Sequence, residues 1–141
     1  MLKSRITIIQ RRIIAERAEN CCEYCLSQLR FSMQSFSIEH IIPVDKGGNS
    51  ESGNLALSCQ GCNNHKYNKT EGYDPISRQM VSLYHPRQQN WNAHFVWNED
   101  CTLIIGITPA GRATVSTLHL NREGLVNLRR ILYEARKHPP R

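Results

Sequence analysis

The chain has 141 residues, of which 40% are apolar and 21% charged, and its formal net charge is +6 with an isoelectric point near 9.2. This length predicts a single compact domain, 1–141, with a modest core. No apolar run approaches the roughly 18 residues of a membrane-spanning helix, and the N-terminus lacks the features of a secretion signal. We therefore expect a cytoplasmic protein without a membrane partner, in which paired cysteines favour metal binding over disulfides.

The basic residues are concentrated at the two ends of the chain. Residues 1–20 carry a net charge of +3 and residues 120–141 carry +4, whereas residues 21–119 carry −1. A net positive charge favours a polyanionic partner. We therefore expect the ends of the chain to supply most of any attraction to phosphates.

The first half of the chain predicts a helix, a strand and a loop. Residues 8–19 are expected to be helical, because apolar side chains recur at the helical spacing of Ile9, Ile13, Ile14 and Ala18. Asn20 is suited to the end of this helix. Residues 36–44 combine β-branched and aromatic residues and predict a strand, and the turn-rich residues 45–53 predict a loop.

The middle of the chain predicts shorter elements. Residues 59–68 are expected to form a knuckle that opens a short helix. Residues 73–92 contain two prolines and are expected to be largely irregular. Residues 93–96 and 102–107 predict two strands around a turn. The nearby tryptophans, Trp91 and Trp97, favour packing over base stacking.

Two helices are expected at the C-terminal end. Thr108-Pro109 predicts a helix start, because proline is favoured in the first turn. Asn121 is expected to cap a last helix that ends near Lys137. The apolar stripe predicted for this helix is Leu125, Leu128, Ile131, Leu132 and Ala135.

Two Cys-x-x-Cys pairs form the strongest motif, and their members are Cys22, Cys25, Cys59 and Cys62. Four thiolates at this spacing are typical of a structural Zn²⁺ site, which is tetrahedral and closed. The 33 residues between the pairs exceed a compact zinc ribbon and must contain folded structure. Redox dithiols of the thioredoxin type are the alternative, but they need a βαβ context that we do not find. Cys21 competes with Cys22 for the first ligand position.

Further motifs lie between and after these pairs, in the order Ile38-Glu39-His40-Ile41-Ile42-Pro43, Gly47-Gly48, Asn54-Leu55 and Asn63-x-x-Lys66. Together with the cysteines, this order resembles the zinc-stapled branch of the HNH endonucleases over residues 20–70. The stretch from Trp91 to Pro140 also resembles the C-terminal extension of small stand-alone bacterial members.

The resemblance implies an α+β fold built on a ββα-metal finger, a hairpin and a helix around one divalent cation. The four-cysteine zinc site would staple this finger. The expected organisation is an N-terminal helix in residues 1–20, an HNH core in 21–72 and a strand-plus-helix extension in 73–141.

The resemblance also implies roles for single residues. His40 would be the general base, and Asn54 would tie down the loop and orient His40. Glu39 and Asn63 would ligate a catalytic Mg²⁺ or Mn²⁺, with His65 as a replacement or additional ligand. The implied reaction is hydrolysis of DNA phosphodiester bonds to 5′-phosphate and 3′-hydroxyl ends.

Elementary chemistry is consistent with most of these roles. An imidazole with an ordinary pKa of about 6.5 is largely neutral at pH 7 and can accept a proton from water. Mg²⁺ prefers oxygen ligands from carboxylates and amides. Glu39 and His40 are neighbours on a predicted strand, however, so their side chains point to opposite faces. They can serve one site only if the backbone bends there or if Glu39 reaches it through the metal.

Candidate phosphate contacts are the basic residues Lys66, Lys69, Arg11, Arg12, Arg129 and Arg130, with Arg136 and Lys137. The expected partner is DNA, and the sequence does not distinguish it from RNA or a monomer from a homodimer. Two other functions stay open: a zinc-stabilised nucleic-acid-binding module without catalysis, and a thiol redox protein.

Overall fold

The computed structural model describes residues 6–140. The helices and strands in this range are α1 (Ile8–Arg17), β1 (Ser37–His40), β2 (Leu55–Ser58), α2 (Gln60–Lys66), β3 (Glu71–Asp74), β4 (Gln79–Ser82), α3 (Trp91–His94), β5 (Phe95–Trp97), β6 (Ile104–Gly106), α4 (Pro109–Leu118) and α5 (Glu123–Glu134). Strands pair as three antiparallel hairpins, β1–β2, β3–β4 and β5–β6. The predicted α+β class is confirmed. None of these helices is long and apolar enough to cross a membrane.

Helix α1 forms where the sequence predicts it, although it ends two residues earlier. Thr7 and Gln10 form a capping box at its start. At its end, Glu19 and Asn20 take left-handed backbone angles, with φ of 54° and 55°, which stops the helix. Ile14 is buried against the β1–β2 hairpin, but Ile9 remains 71% exposed, so only half of the predicted apolar stripe faces the core.

The β1–β2 hairpin is the scaffold of the predicted site. In its register, Glu39 lies opposite Ala56 and His40 lies opposite Leu55. The strand predicted over 36–44 ends at His40, because the chain then turns through Pro43, whose carbonyl accepts hydrogen bonds from two following amides. Strand β2 is buried along its whole length and runs directly into the second cysteine pair.

The expectation of a largely irregular segment over 73–92 was wrong for its first half, because residues 71–82 form the β3–β4 hairpin, whereas residues 83–90 contain no helix or strand. Asp74 makes the turn, and its carboxylate accepts hydrogen bonds from the backbone N–H of Ile76 and Ser77. Pro75 lies inside this turn, where no ladder hydrogen bond is lost. The guanidinium of Arg112 in α4 donates two hydrogen bonds to the same carboxylate, at 2.9 and 3.0 Å.

The C-terminal part contains the expected hairpin and two helices, with two differences. The chain forms a helical turn, α3, at the place where the first strand was predicted to begin. Arg122, not Asn121, occupies the N-cap position of α5. The Asn121 amide instead pairs with both backbone groups of Ile104 at 2.8 Å, so it joins α5 to β6.

The main apolar cluster combines the cysteine pairs with the C-terminal part of the chain. Its buried members include Cys22, Cys25, Cys59, Cys62, Tyr84, Phe95, Ile104, Leu118 and Leu120. Trp91 and Trp97 pack at its edge with ring centroids 5.6 Å apart, as expected for packing residues. The cysteine site and the extension therefore share one core.

Candidate functional site

The four predicted cysteines meet at one buried point. Their sulfur atoms all lie within 4.8 Å of one another. The Sγ atoms of Cys25 and Cys59 are 3.7 Å apart. A tetrahedral zinc with Zn–S bonds of about 2.3 Å requires sulfur–sulfur distances of about 3.8 Å, so the donor set fits Zn²⁺.

Cys21 does not take part in this group, and its thiol contacts the carbonyl of Glu19. Among residues 6–140, the four cysteines are the one group of at least three Cys, His, Asp or Glu side chains able to hold a metal. Bound zinc would join the knuckle after α1 to the knuckle that opens α2.

His40 ends β1 and lies half-buried beside the loop that follows the strand. Its Nε2 is 2.9 Å from the Ser50 hydroxyl oxygen. Burial lowers the pKa of His40 below its ordinary value. The imidazole is therefore predominantly neutral at pH 7, the form that can accept a proton. Sequence reasoning missed Ser50, which looked like one more polar residue of a turn.

Asn54 ties down the loop that carries Ser50. Its Oδ1 accepts a hydrogen bond from the Ile42 N–H at 2.8 Å, and its Nδ2 donates to the carbonyls of Ile42 and Asn49 at 3.0 and 2.8 Å. The amide thus joins both ends of the loop. Because Asn49 precedes Ser50 in the chain, the hydrogen bond from Asn54 to the Asn49 carbonyl also limits the movement of Ser50, which contacts His40.

Glu39 points to the other face of the hairpin and lies in the interior, 4% exposed. Its Oε2 is 2.8 Å from the Lys66 ammonium, and its Oε1 accepts a hydrogen bond from the Tyr24 hydroxyl. Burial raises the pKa of Glu39, and the positive charge of Lys66 opposes this effect. Both carboxylate oxygens are therefore already engaged by protein groups.

The three residues predicted to hold a catalytic cation differ in how the structure engages them. Glu39 is paired with Lys66, whose ammonium would repel a second cation at the same carboxylate. His65 lies against His119, with ring centroids 4.3 Å apart, and Asn63 is half-buried on α2. Glu39 is thus engaged in the interior, and the roles expected of Asn63 and His65 stay predictions.

Two of the predicted phosphate contacts are also corrected. Lys66 is 2% exposed and its ammonium also donates to the Ile41 carbonyl at 2.8 Å. Arg129 is 4% exposed and donates to the carbonyls of Thr102 and Leu120. Neither cation is free to meet a polyanion. The other candidates lie on the surface, and these are Arg11, Arg12, Lys69, Arg130, Arg136 and Lys137.

A comparison with protein families identifies the segment that contains these features. Residues 22–69 match the family model for HNH endonuclease. They form an HNH domain. The match begins at the first cysteine of the four-cysteine group and includes the β1–β2 hairpin and α2, so the resemblance expected over residues 20–70 is confirmed. Comparisons with curated proteins and with solved structures give no match to the chain. The HNH assignment indicates nuclease-type activity with metal binding.

The buried pair of Glu39 and Lys66 gives a direct stability prediction. Lys66→Met leaves a buried carboxylate without its counter-ion and should lower the free energy of unfolding by about 3–5 kcal/mol. Because Glu39→Gln removes the stranded charge, the double variant Glu39→Gln/Lys66→Met should recover part of this loss. Urea unfolding followed by circular dichroism measures both effects.

Lys69→Met is the matched control, because Lys69 is exposed and its loss should change stability by no more than about 0.5 kcal/mol. Equal stabilities for the two single Lys→Met variants would contradict the structural role of Lys66.

Proposed function

We propose that the chain is an endonuclease that hydrolyses phosphodiester bonds of DNA, with His40 as the general base. The observation that carries this proposal is the joint arrangement of His40, Ser50 and Asn54 inside the HNH domain. Within the family resemblance, the products are 5′-phosphate and 3′-hydroxyl ends. We further propose that residues 1–141 act as one unit, since the zinc site and the extension share a core.

The imidazole of His40 has the chemistry that the first step needs. If the proton of the neutral ring sits on Nε2, this nitrogen donates to the Ser50 hydroxyl oxygen, and Nδ1 keeps its lone pair. Nδ1 then takes a proton from the attacking water while the water oxygen attacks phosphorus. In this proposal Ser50 holds the orientation of the imidazole, and it acts on the reaction only through His40.

The loop around Ser50 is held from two sides, which supports a fixed orientation of the imidazole. Asn54 closes the loop from inside through the carbonyl of Asn49. From outside, the Gln10 side chain of α1 donates to the Ser50 carbonyl at 3.0 Å. A rigid support of this kind limits the loss of productive geometry at the base.

The substrate contacts and the catalytic cation belong to the same proposal. The exposed cations at the two ends of the chain, with Lys69, would attract the phosphate backbone in a salt-dependent way. We propose Mg²⁺ or Mn²⁺ as the cation, on the basis of the family resemblance. Because Lys66 already engages the Glu39 carboxylate, we assign no catalytic step to this cation.

The nuclease proposal predicts a clear result in a plasmid assay. With Mg²⁺ or Mn²⁺, the protein should convert supercoiled plasmid to nicked or linear DNA, and His40→Ala should reduce the rate by about 10²-fold or more, because the general base is lost. Gel electrophoresis across metals, with an EDTA arm and a single-stranded RNA arm, measures this.

His119→Asn is the matched control, because His119 is exposed at the end of α4 and asparagine suits its left-handed backbone. This variant should cleave at the wild-type rate. Cleavage by a folded His40→Ala protein at the wild-type rate would refute the assignment of the base.

The lowered pKa of His40 predicts the pH dependence of cleavage. A general base works only when it is unprotonated, so kcat/KM should rise with pH to a plateau, with the midpoint of the rise below the ordinary histidine pKa of about 6.5. In Ser50→Ala the plateau rate should fall, since the imidazole is no longer held in one orientation. Rates measured from pH 5 to pH 8 test this, and a rate independent of pH across this range would contradict it.

A second candidate is a zinc-stabilised nucleic-acid-binding module without catalysis. The pairing of Glu39 with Lys66 favours it, because this pairing engages the carboxylate expected to bind the cation. Salt-sensitive DNA binding without cleavage in any divalent metal would support this candidate over the enzyme.

A further inference from the structure

Arg122 reaches from the start of α5 to the second cysteine pair. Its Nη2 lies 3.3 Å from the Sγ of Cys59, and its Nη1 lies 3.6 Å from the Sγ of Cys62. Nη1 also donates to the carbonyls of Leu118 and His119, at 3.3 and 3.1 Å. One guanidinium therefore contacts two sulfurs of the zinc knuckle and the C-terminal end of α4.

The charges at this point are complementary. Four thiolates around one Zn²⁺ leave a net charge of −2 in the interior, and a buried charge is costly unless a group of opposite sign pairs with it. The C-terminal end of α4 adds a partial negative charge from its unpaired carbonyls. Arg129, which is also buried, donates to the carbonyls of Thr102 and Leu120.

Gly61 makes room for this contact. A Cβ atom on Gly61 would collide with the Arg122 guanidinium. The backbone φ of Gly61 is not left-handed, so a side chain at this position would act through space alone, by displacing the guanidinium. Two positions about 60 residues apart in the chain are thus matched to each other at the metal site.

We propose that Arg122 is a positioning residue of the zinc centre. Its guanidinium hydrogen-bonds the thiolates of Cys59 and Cys62, offsets the negative charge of the centre, slows the loss of zinc and protects both sulfurs from electrophiles. The C-terminal extension is thereby a functional part of the metal site. This role goes beyond the nuclease proposal and does not depend on it.

The rate of zinc release tests this role directly. Zinc bound to the intact chain is challenged with a coloured chelator, 4-(2-pyridylazo)resorcinol, and release is followed by absorbance. Arg122→Gln should release zinc about tenfold faster or more, because charged hydrogen bonds to two thiolates are lost. Gly61→Ala should change the rate in the same direction, because the added methyl displaces the guanidinium while Arg122 itself is kept.

Arg122→Lys and Arg130→Gln complete the series. The lysine keeps the charge but cannot donate to both sulfurs and both carbonyls at once, so its release rate should be intermediate. Arg130 is exposed on α5 and contacts Asn127, so its loss should leave the rate unchanged. In Arg122→Gln, alkylation by iodoacetamide should be faster than in the wild type, and the increase should be larger at Cys59 and Cys62 than at Cys22 and Cys25. Mass spectrometry identifies the alkylated sites.

The proposal fails if Arg122→Gln, folded by circular dichroism, releases zinc at the wild-type rate, or if Arg130→Gln accelerates release equally. Purified protein without zinc would also overturn it. If Arg122→Gln does not fold, the decision rests on the milder variants. Wild-type release rates in both Gly61→Ala and Arg122→Lys would then refute the role of Arg122.

Discussion

Four buried sulfurs within 4.8 Å of one another are the interaction on which the rest of the structure depends. They join the knuckle after α1 to the knuckle at the start of α2, and they lie in the same apolar cluster as the C-terminal hairpin and helices. A small chain with a modest core gains much of its stability from such a centre, because zinc binding to the folded form contributes folding free energy. Zinc bound at these sulfurs would fix the shape of the chain and leave the chemistry to other groups.

The first knuckle, residues 22–25, is hydrogen-bonded to both strands of the β1–β2 hairpin. The Glu23 carboxylate accepts a hydrogen bond from the Leu57 N–H of β2 at 2.7 Å, and the Tyr24 hydroxyl bonds Glu39 of β1. His40 is the next residue on β1, so its position follows from these buried contacts. The inward face of the hairpin thus serves stability, and its outward face presents the proposed base.

The sequence was sufficient for features that depend on local pattern and not for those that depend on distant partners. The cysteine spacing located the metal site, and Thr108-Pro109 located the start of α4. Pro75 led to the expectation of irregular structure over 73–92, because proline disfavours a strand interior. It is compatible with the β3–β4 hairpin only because it lies in the turn that Asp74 forms. The burial of Lys66 was not visible, because its partner Glu39 lies 27 residues away and a lysine on a short helix normally faces water. Arg122 carried no motif at all.

The central claim is that the zinc–thiolate centre holds the hairpin that presents His40. Amide hydrogen exchange measured on zinc-bound and zinc-depleted protein tests this most directly, since it reports the opening of each element separately. We predict that zinc removal exposes the amides of β1, β2 and α2 to exchange together, along with the first turn of α5 next to Arg122. Loss of protection confined to the two cysteine knuckles, with the β1–β2 amides still protected, would contradict the account.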